Sequence, residues 1–207
     1  NWPSGSFTLQ SGDIQDVFAN DTSTLSIGTI WWQRDNQTPS VISLSAIDGF
    51  SNSGIPDNGS INASPNNPAY FATFYSDADG MSDFYDGALY LGFSTGAQID
   101  DSAAEKAKLK YNGSTWQFCD YYNVNPCLDA GQNGEIDLGS GMMLQTALAQ
   151  VQENFNGDPN LIYVLWGIKF TQGYGTKNLK IWARADDGLS TSGWISNDGW
   201  VWKTDMF

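Results

Sequence analysis

From residue 77 the chain reads Asp-Ala-Asp-Gly-Met-Ser-Asp-Phe-Tyr-Asp-Gly, which sets Asp77, Asp79, Asp83 and Asp86 at short spacings around Gly80. Carboxylates are hard oxygen donors. Calcium takes about six to eight oxygens at ~2.3–2.6 Å, and alternate aspartates around a tight turn can supply several of them from one loop. Asp-Gly pairs also build hairpin turns in which the carboxylate accepts from nearby backbone N–H groups. The expectation is a calcium loop at these four aspartates, with a simple turn as the alternative.

The run resembles the second half of the D-x-D-x-D-G loops of thrombospondin-type and EF-like calcium sites. Tyr75 stands where their first aspartate would be, and no bidentate glutamate follows at EF-hand spacing. A second carboxylate pair, Glu135 and Asp137, alternates within Gly-Glu-Ile-Asp-Leu-Gly-Ser, which places both on one face of a strand. This segment resembles the E-x-D-x-(x)-E signature of the laminarinase-like retaining β-glucanases, which are β-sandwiches. The resemblance implies a nucleophile at Glu135. Gly139 and Ser140 occupy the place of the family's acid/base glutamate, and a retaining mechanism needs two carboxyl groups about 5–5.5 Å apart. A glycoside hydrolase centred on Glu135, with Asp137 beside it, is therefore an alternative to a binding function.

Aromatic residues are abundant: nine Trp, nine Tyr and eleven Phe. Trp200 and Trp202 share one strand face, and Trp194 precedes them across a turn at 196–199. Adjacent Trp31 and Trp32 point to opposite faces of a strand. The C–H face of a pyranose stacks on an indole or phenol ring while Asp and Asn hold its hydroxyls. Asp187, Asn197 and Asp198 lie near the C-terminal tryptophans in sequence. With them, Trp31, Trp32, Trp194, Trp200 and Trp202 form the expected sugar-binding set.

Composition excludes much else. The 207 residues hold nine Lys plus Arg, twenty-three Asp plus Glu and no His, for a formal charge of −14. Without histidine there is no Ser-His-Asp triad, no imidazole base and no His-ligated metal. An acidic chain is a poor partner for nucleic acid or anionic membranes, and no apolar run reaches the ~20 residues of a membrane span. Residues 1–104 carry twelve acids against Arg34 alone, so most of the negative charge lies in the first half. P-loop, dinucleotide-binding and nucleophile-elbow motifs do not occur.

Cys119 and Cys127 flank an Asn-Pro turn signal, and their spacing predicts a disulfide rather than a metal or redox motif. Sequons begin at Asn20, Asn36, Asn58, Asn62 and Asn112. With the cysteine pair and a first residue other than Met, they suggest a processed, secreted glycoprotein.

The elements that must position these groups read mainly as strands, at 25–32, 41–47, 70–75, 88–93, 115–122, 161–170, 179–185 and 194–203. Leu144, Leu148, Val151 and Phe155 recur at i, i+4, i+7 and i+11 and predict one amphipathic helix after a Ser140 cap. A second helix is expected at 102–110. Residues 48–68 read as an exposed loop or an edge strand. The expected architecture is a single mainly β domain over 1–207, an antiparallel β-sandwich or barrel with one or two short covering helices. The expected function is extracellular carbohydrate binding to glycans or polysaccharide, with calcium as the one candidate cofactor. A self-associating structural subunit, pairing through residues 7–9, is the alternative from another class.

Overall fold

The computed structural model describes residues 37–48, 68–94, 99, 106–171 and 180–197, together with the backbone of short strands at 53–55, 60–62 and 201–203. Among the described residues, fifteen strands run in chain order: β1 Ser40–Asp48, β2 Ser53–Ile55, β3 Ser60–Asn62, β4 Ala69–Ser76, β5 Ala88–Ser94, β6 Lys106–Tyr111, β7 Trp116–Asp120, β8 Leu128–Asp129, β9 Glu135–Gly139, β10 Met142–Gln145, β11 Gln150–Glu153, β12 Leu161–Phe170, β13 Lys180–Asp186, β14 Ile195–Asn197 and β15 Val201–Lys203. The first sheet has the order β2-β1-β4-β12-β10-β9, with β11 also on β12; the second has the order β14-β13-β5-β6-β7-β8. Their strand pairs are antiparallel, while β15 and β3 form a separate parallel pair.

Alternation explains the packing. In β4, Ala69, Phe71, Thr73 and Tyr75 are buried on one face, and in β12 the same holds for Ile162, Val164, Trp166, Ile168 and Phe170. On the facing sheet, Leu89, Leu91 and Phe93 of β5, Ala107 and Leu109 of β6 and Phe118 of β7 meet them in one apolar core. Phe71 contacts Phe93 edge-on with centroids 5.4 Å apart, and Phe118 contacts Trp166 at 5.5 Å. Such edge-to-face pairs join the two inner faces favourably. The polar atoms of this core are satisfied across it: Trp166 Nε1 donates to Thr73 Oγ1 at 2.9 Å, and Tyr75 Oη donates to the Tyr90 carbonyl at 2.9 Å. The fold is thus a mainly β antiparallel sandwich, as the strand pattern indicates.

Both expected helices are strands. Residues 142–145 and 150–153 form β10 and β11, which pair with different stretches of β12, at Ile168–Phe170 and at Ile162–Leu165. The helical spacing of Leu144, Leu148, Val151 and Phe155 arises because these residues serve different faces. Leu144 enters the core, and Val151 packs against it. Leu148 lies over Gly167, and Phe155 packs on Phe74 and Tyr163. The expected cap, Ser140, instead sits at φ 48° in the β9–β10 turn. At the other site, Lys106–Tyr111 is β6, paired on both sides. Among the described residues, the helical segments are two short 3-10 turns, Met81–Tyr85 and Phe155–Gly157. The edge-strand reading of residues 48–68 is met in part by β2, which pairs with the end of β1.

Candidate functional site

The acidic loop lies at the end of β4. Asp77 N donates to the Asn160 carbonyl at 3.1 Å, anchoring the loop to the segment before β12. Asp77 Oδ1 accepts from Asp79 N at 2.9 Å, closing a turn that Gly80, at φ 102°, carries into the 3-10 segment. That left-handed value favours glycine. Carboxylate oxygens of Asp77, Asp79 and Asp83 all lie within 4.8 Å of one another. Asp77 is 1 % and Asp83 4 % exposed. Burial, then the negative charges of Asp83, Asp187 and Asp79, raise the Asp77 pKa above the ordinary carboxylate range, against the Asp79 N–H bond that lowers it.

Asp187 therefore belongs to this neighbourhood. It is 2 % exposed, and its Oδ1 accepts from the backbone N–H of Leu189 and Ser190 at 2.7 and 2.6 Å. Asp187, expected among the readers of sugar hydroxyls, is placed as a buried turn former near Asp77. Asp86 is exposed just after the 3-10 turn, and its backbone N–H closes that turn on the Asp83 carbonyl. It is not among the three that cluster.

The second assembly is the outward face of the six-stranded sheet. Lys106, Lys108 and Lys110 alternate outward from β6, and Lys180, Trp182 and Arg184 do so from β13, while Ala107, Leu109, Ile181 and Ala183 fill the core. Tyr90 of β5 pairs with Arg184 on one side and Lys108 on the other. The Arg184 guanidinium lies 4.4 Å from the Tyr90 ring centroid and 4.8 Å from that of Trp194. Lys106 Nζ lies 4.5 Å from the Tyr121 ring and 5.4 Å from the Trp194 ring. Cations over ring faces are stabilised by the aromatic quadrupole, which helps to explain how Lys106 tolerates full burial.

Trp194, Tyr90, Tyr121 and Tyr122 form a continuous strip, with centroid separations of 6.0, 5.6 and 5.0 Å. Gly92 makes room for it. A Cβ there would stand 2.3 Å from Ile99 Cδ1 and 3.3 Å from the Trp194 ring. The disulfide between Cys119 and Cys127, expected from spacing, is formed and closes the loop bearing Tyr121 and Tyr122. Asp120 braces the same loop by accepting from Val124 N and Asn125 N at 3.0 and 2.7 Å. Only Trp194 of this strip was among the expected sugar-binding residues. Tyr90 is legible as an outward position once β5 is placed, whereas Tyr121 and Tyr122 follow the end of β7 in a turn that strand alternation does not orient.

Glu135 and Asp137 do share the outward face of β9, an edge strand. Glu135 is held by Lys169 Nζ at 3.1 Å and by Gln145 Nε2 at 2.9 Å, while Asp137 accepts from Gly139 N at 2.8 Å. Asn197 lies in β14 opposite Ile181, and Trp202 lies in β15 opposite Ile61. Their side chains, with Trp31, Trp32, Asp198 and Trp200, lie outside the described residues, as do the side chains of the sequon residues Asn20, Asn36, Asn58 and Asn62. The fifth, Asn112, is exposed in the β6–β7 hairpin, and its Oδ1 accepts from Ser114 N and Thr115 N. Among the described residues, no helix is long and apolar enough to cross a membrane.

Comparison with known families, with characterised proteins and with solved structures returned no match for this chain.

Proposed function

We propose that the chain is an extracellular carbohydrate-binding module. Its ligand surface is the outward face of β13, β5 and β6 with the disulfide-closed loop, and its ligand is an acidic polysaccharide. The observation that carries this reading is a concentration of charge. Four of the nine Lys and Arg residues in a chain of net charge −14 stand partly exposed on one face of one sheet, at positions 108, 110, 180 and 184, with Lys106 buried beneath the rings of the same face. They interleave with Tyr90, Tyr121 and Trp194. Ring faces favour the C–H surface of a pyranose, and guanidinium and ammonium groups favour carboxylate or sulfate substituents. A loop pinned by a disulfide loses little entropy when it binds.

Extracellular placement is supported by the disulfide, which persists in oxidising compartments, and by the exposed sequon at Asn112. A glycan array carrying polyuronates, sulfated galactans and neutral glucans, read at low and high salt, tests the function. Acidic glycans should bind, and binding should weaken with salt, because the attraction is screened. Arg184→Gln and Trp194→Ala should each weaken it about tenfold, roughly 1.4 kcal/mol. Failure to bind any acidic glycan at millimolar concentration, or full affinity in both variants, overturns the reading.

A further inference from the structure

Two buried carboxylates side by side, Asp77 and Asp83, are an unusual use of the interior of a small sandwich. A buried anion is costly unless it is hydrogen-bonded or paired with a cation. The Oδ1 atom of Asp77 is used locally, accepting from Asp79 N at 2.9 Å. Its Oδ2 is buried and has no hydrogen-bond partner, in a residue only 1 % exposed. Two observations therefore coincide: a three-carboxylate cluster, and within it a buried oxygen without a partner.

We infer that Asp77, Asp79 and Asp83 hold one calcium ion between the end of β4 and the 3-10 turn. Donor oxygens at ~2.3–2.6 Å from a common ion stand no more than about 5 Å apart, and the three carboxylates meet that limit, with oxygens within 4.8 Å of one another. Asn160, whose carbonyl receives the Asp77 N–H, also places its side-chain oxygen beside Gly80, 3.9 Å from where a Cβ would be. Oxygen-only donors select a hard cation, and an irregular loop suits calcium better than magnesium, which demands near-octahedral geometry and retains most of its water. Asp187, buried on the β13 side near Asp77, gives the ion a further negative charge to offset. The site would tie the end of β4 to the 3-10 turn.

The test uses the full chain after chelation, titrated with calcium chloride in a calorimeter and followed by thermal unfolding. One calcium per chain is expected, with binding complete by about millimolar calcium, the range of extracellular modules, a raised Tm, and no displacement by equal magnesium. Asp77→Asn and Asp79→Asn should each weaken binding at least tenfold, whereas Asp129→Asn should leave it unchanged. If Asp77→Asn fails to fold, Asp79→Asn alone decides, because Asp79 is half-buried whereas Asp77 is fully enclosed. No heat and no Tm shift at several times millimolar calcium would overturn the inference, as would unaltered binding in the Asp79 variant. These readouts contain no glycan, so they stand or fall apart from the carbohydrate reading.

Discussion

The indole Nε1–H of Trp116 donates to Glu153 Oε1 across 2.6 Å, and this bond runs from one sheet of the sandwich to the other. The Tyr85 hydroxyl donates to the same carboxylate at 3.2 Å, and its ring stacks on Tyr111 with centroids 4.2 Å apart. One half-buried acid thus ties β7, β11 and the first 3-10 turn. Glu153→Ala would leave the nearly buried Trp116 N–H without an acceptor, a loss of roughly 1–3 kcal/mol. Glu153→Gln retains an acceptor and should lose less. Urea unfolding measures both; an Ala variant with the parent's midpoint would show that the bond contributes nothing to stability.

How far the sequence leads is seen by setting β12 beside β10 and β11. Leu161–Phe170 is a long β-branched and aromatic run, and it is a strand as its composition predicts. β10 and β11 are four residues each, too short to show a period of two, and the turn between them puts four apolar residues at helical spacing by accident of register. The site divides in the same way. Asp77, Asp79 and Asp83 are close in sequence, so their cluster is legible there. Asp187 reaches them only through the pairing of β13 with β5, where Asp186 meets Ala88, and the cationic face appears only once β6 is known to be a strand. A helix at 102–110 would have spread Lys106 and Lys108 around its surface.

That same junction of β5 and β13 leaves no space at Gly87. A Cβ on Gly87 would fall 1.9 Å from the Asp186 carbonyl oxygen and 2.7 Å from Asp187 Cα, both backbone atoms that cannot rotate away. Gly87→Ala should therefore cost at least the ~1–3 kcal/mol typical of overpacking and displace the turn carrying Asp187. Denaturant midpoints report the first effect. Calcium affinity, measured in the same protein, should fall with it; a variant as stable as the parent would mean that the two turns separate easily.

The disulfide offers a different kind of test. It joins residues eight positions apart, and the chain-entropy relation for so short a loop gives roughly 2–3 kcal/mol. Cys119→Ala with Cys127→Ala should lower stability by about that amount. It should also weaken glycan binding, because Tyr121 and Tyr122 would no longer be held beside Tyr90. Loss of stability with full glycan affinity would place the ligand elsewhere on the sheet.

Lys108 connects stability and binding through pH. Its Nζ donates to the Tyr121 carbonyl at 3.2 Å. Burial, and then the like charge of Lys110, hold its pKa below the ordinary 10.5, with Asp120 opposing. In the window between the lowered folded value and 10.5, the unfolded chain binds more protons than the folded one, so stability rises with pH there and falls again as pH drops through the folded value. Lys108→Met removes this titration. The stability of the parent relative to Lys108→Met should therefore climb as the pH is raised towards 10.5. Affinity for an acidic glycan should move the opposite way, since the lysine that stabilises the fold by losing its proton no longer attracts a carboxylate. Paired unfolding and binding titrations across that range measure both slopes. A stability difference that stays flat below 10.5 would show that burial does not perturb Lys108, and a glycan affinity that tracks stability upward would remove Lys108 from the binding face.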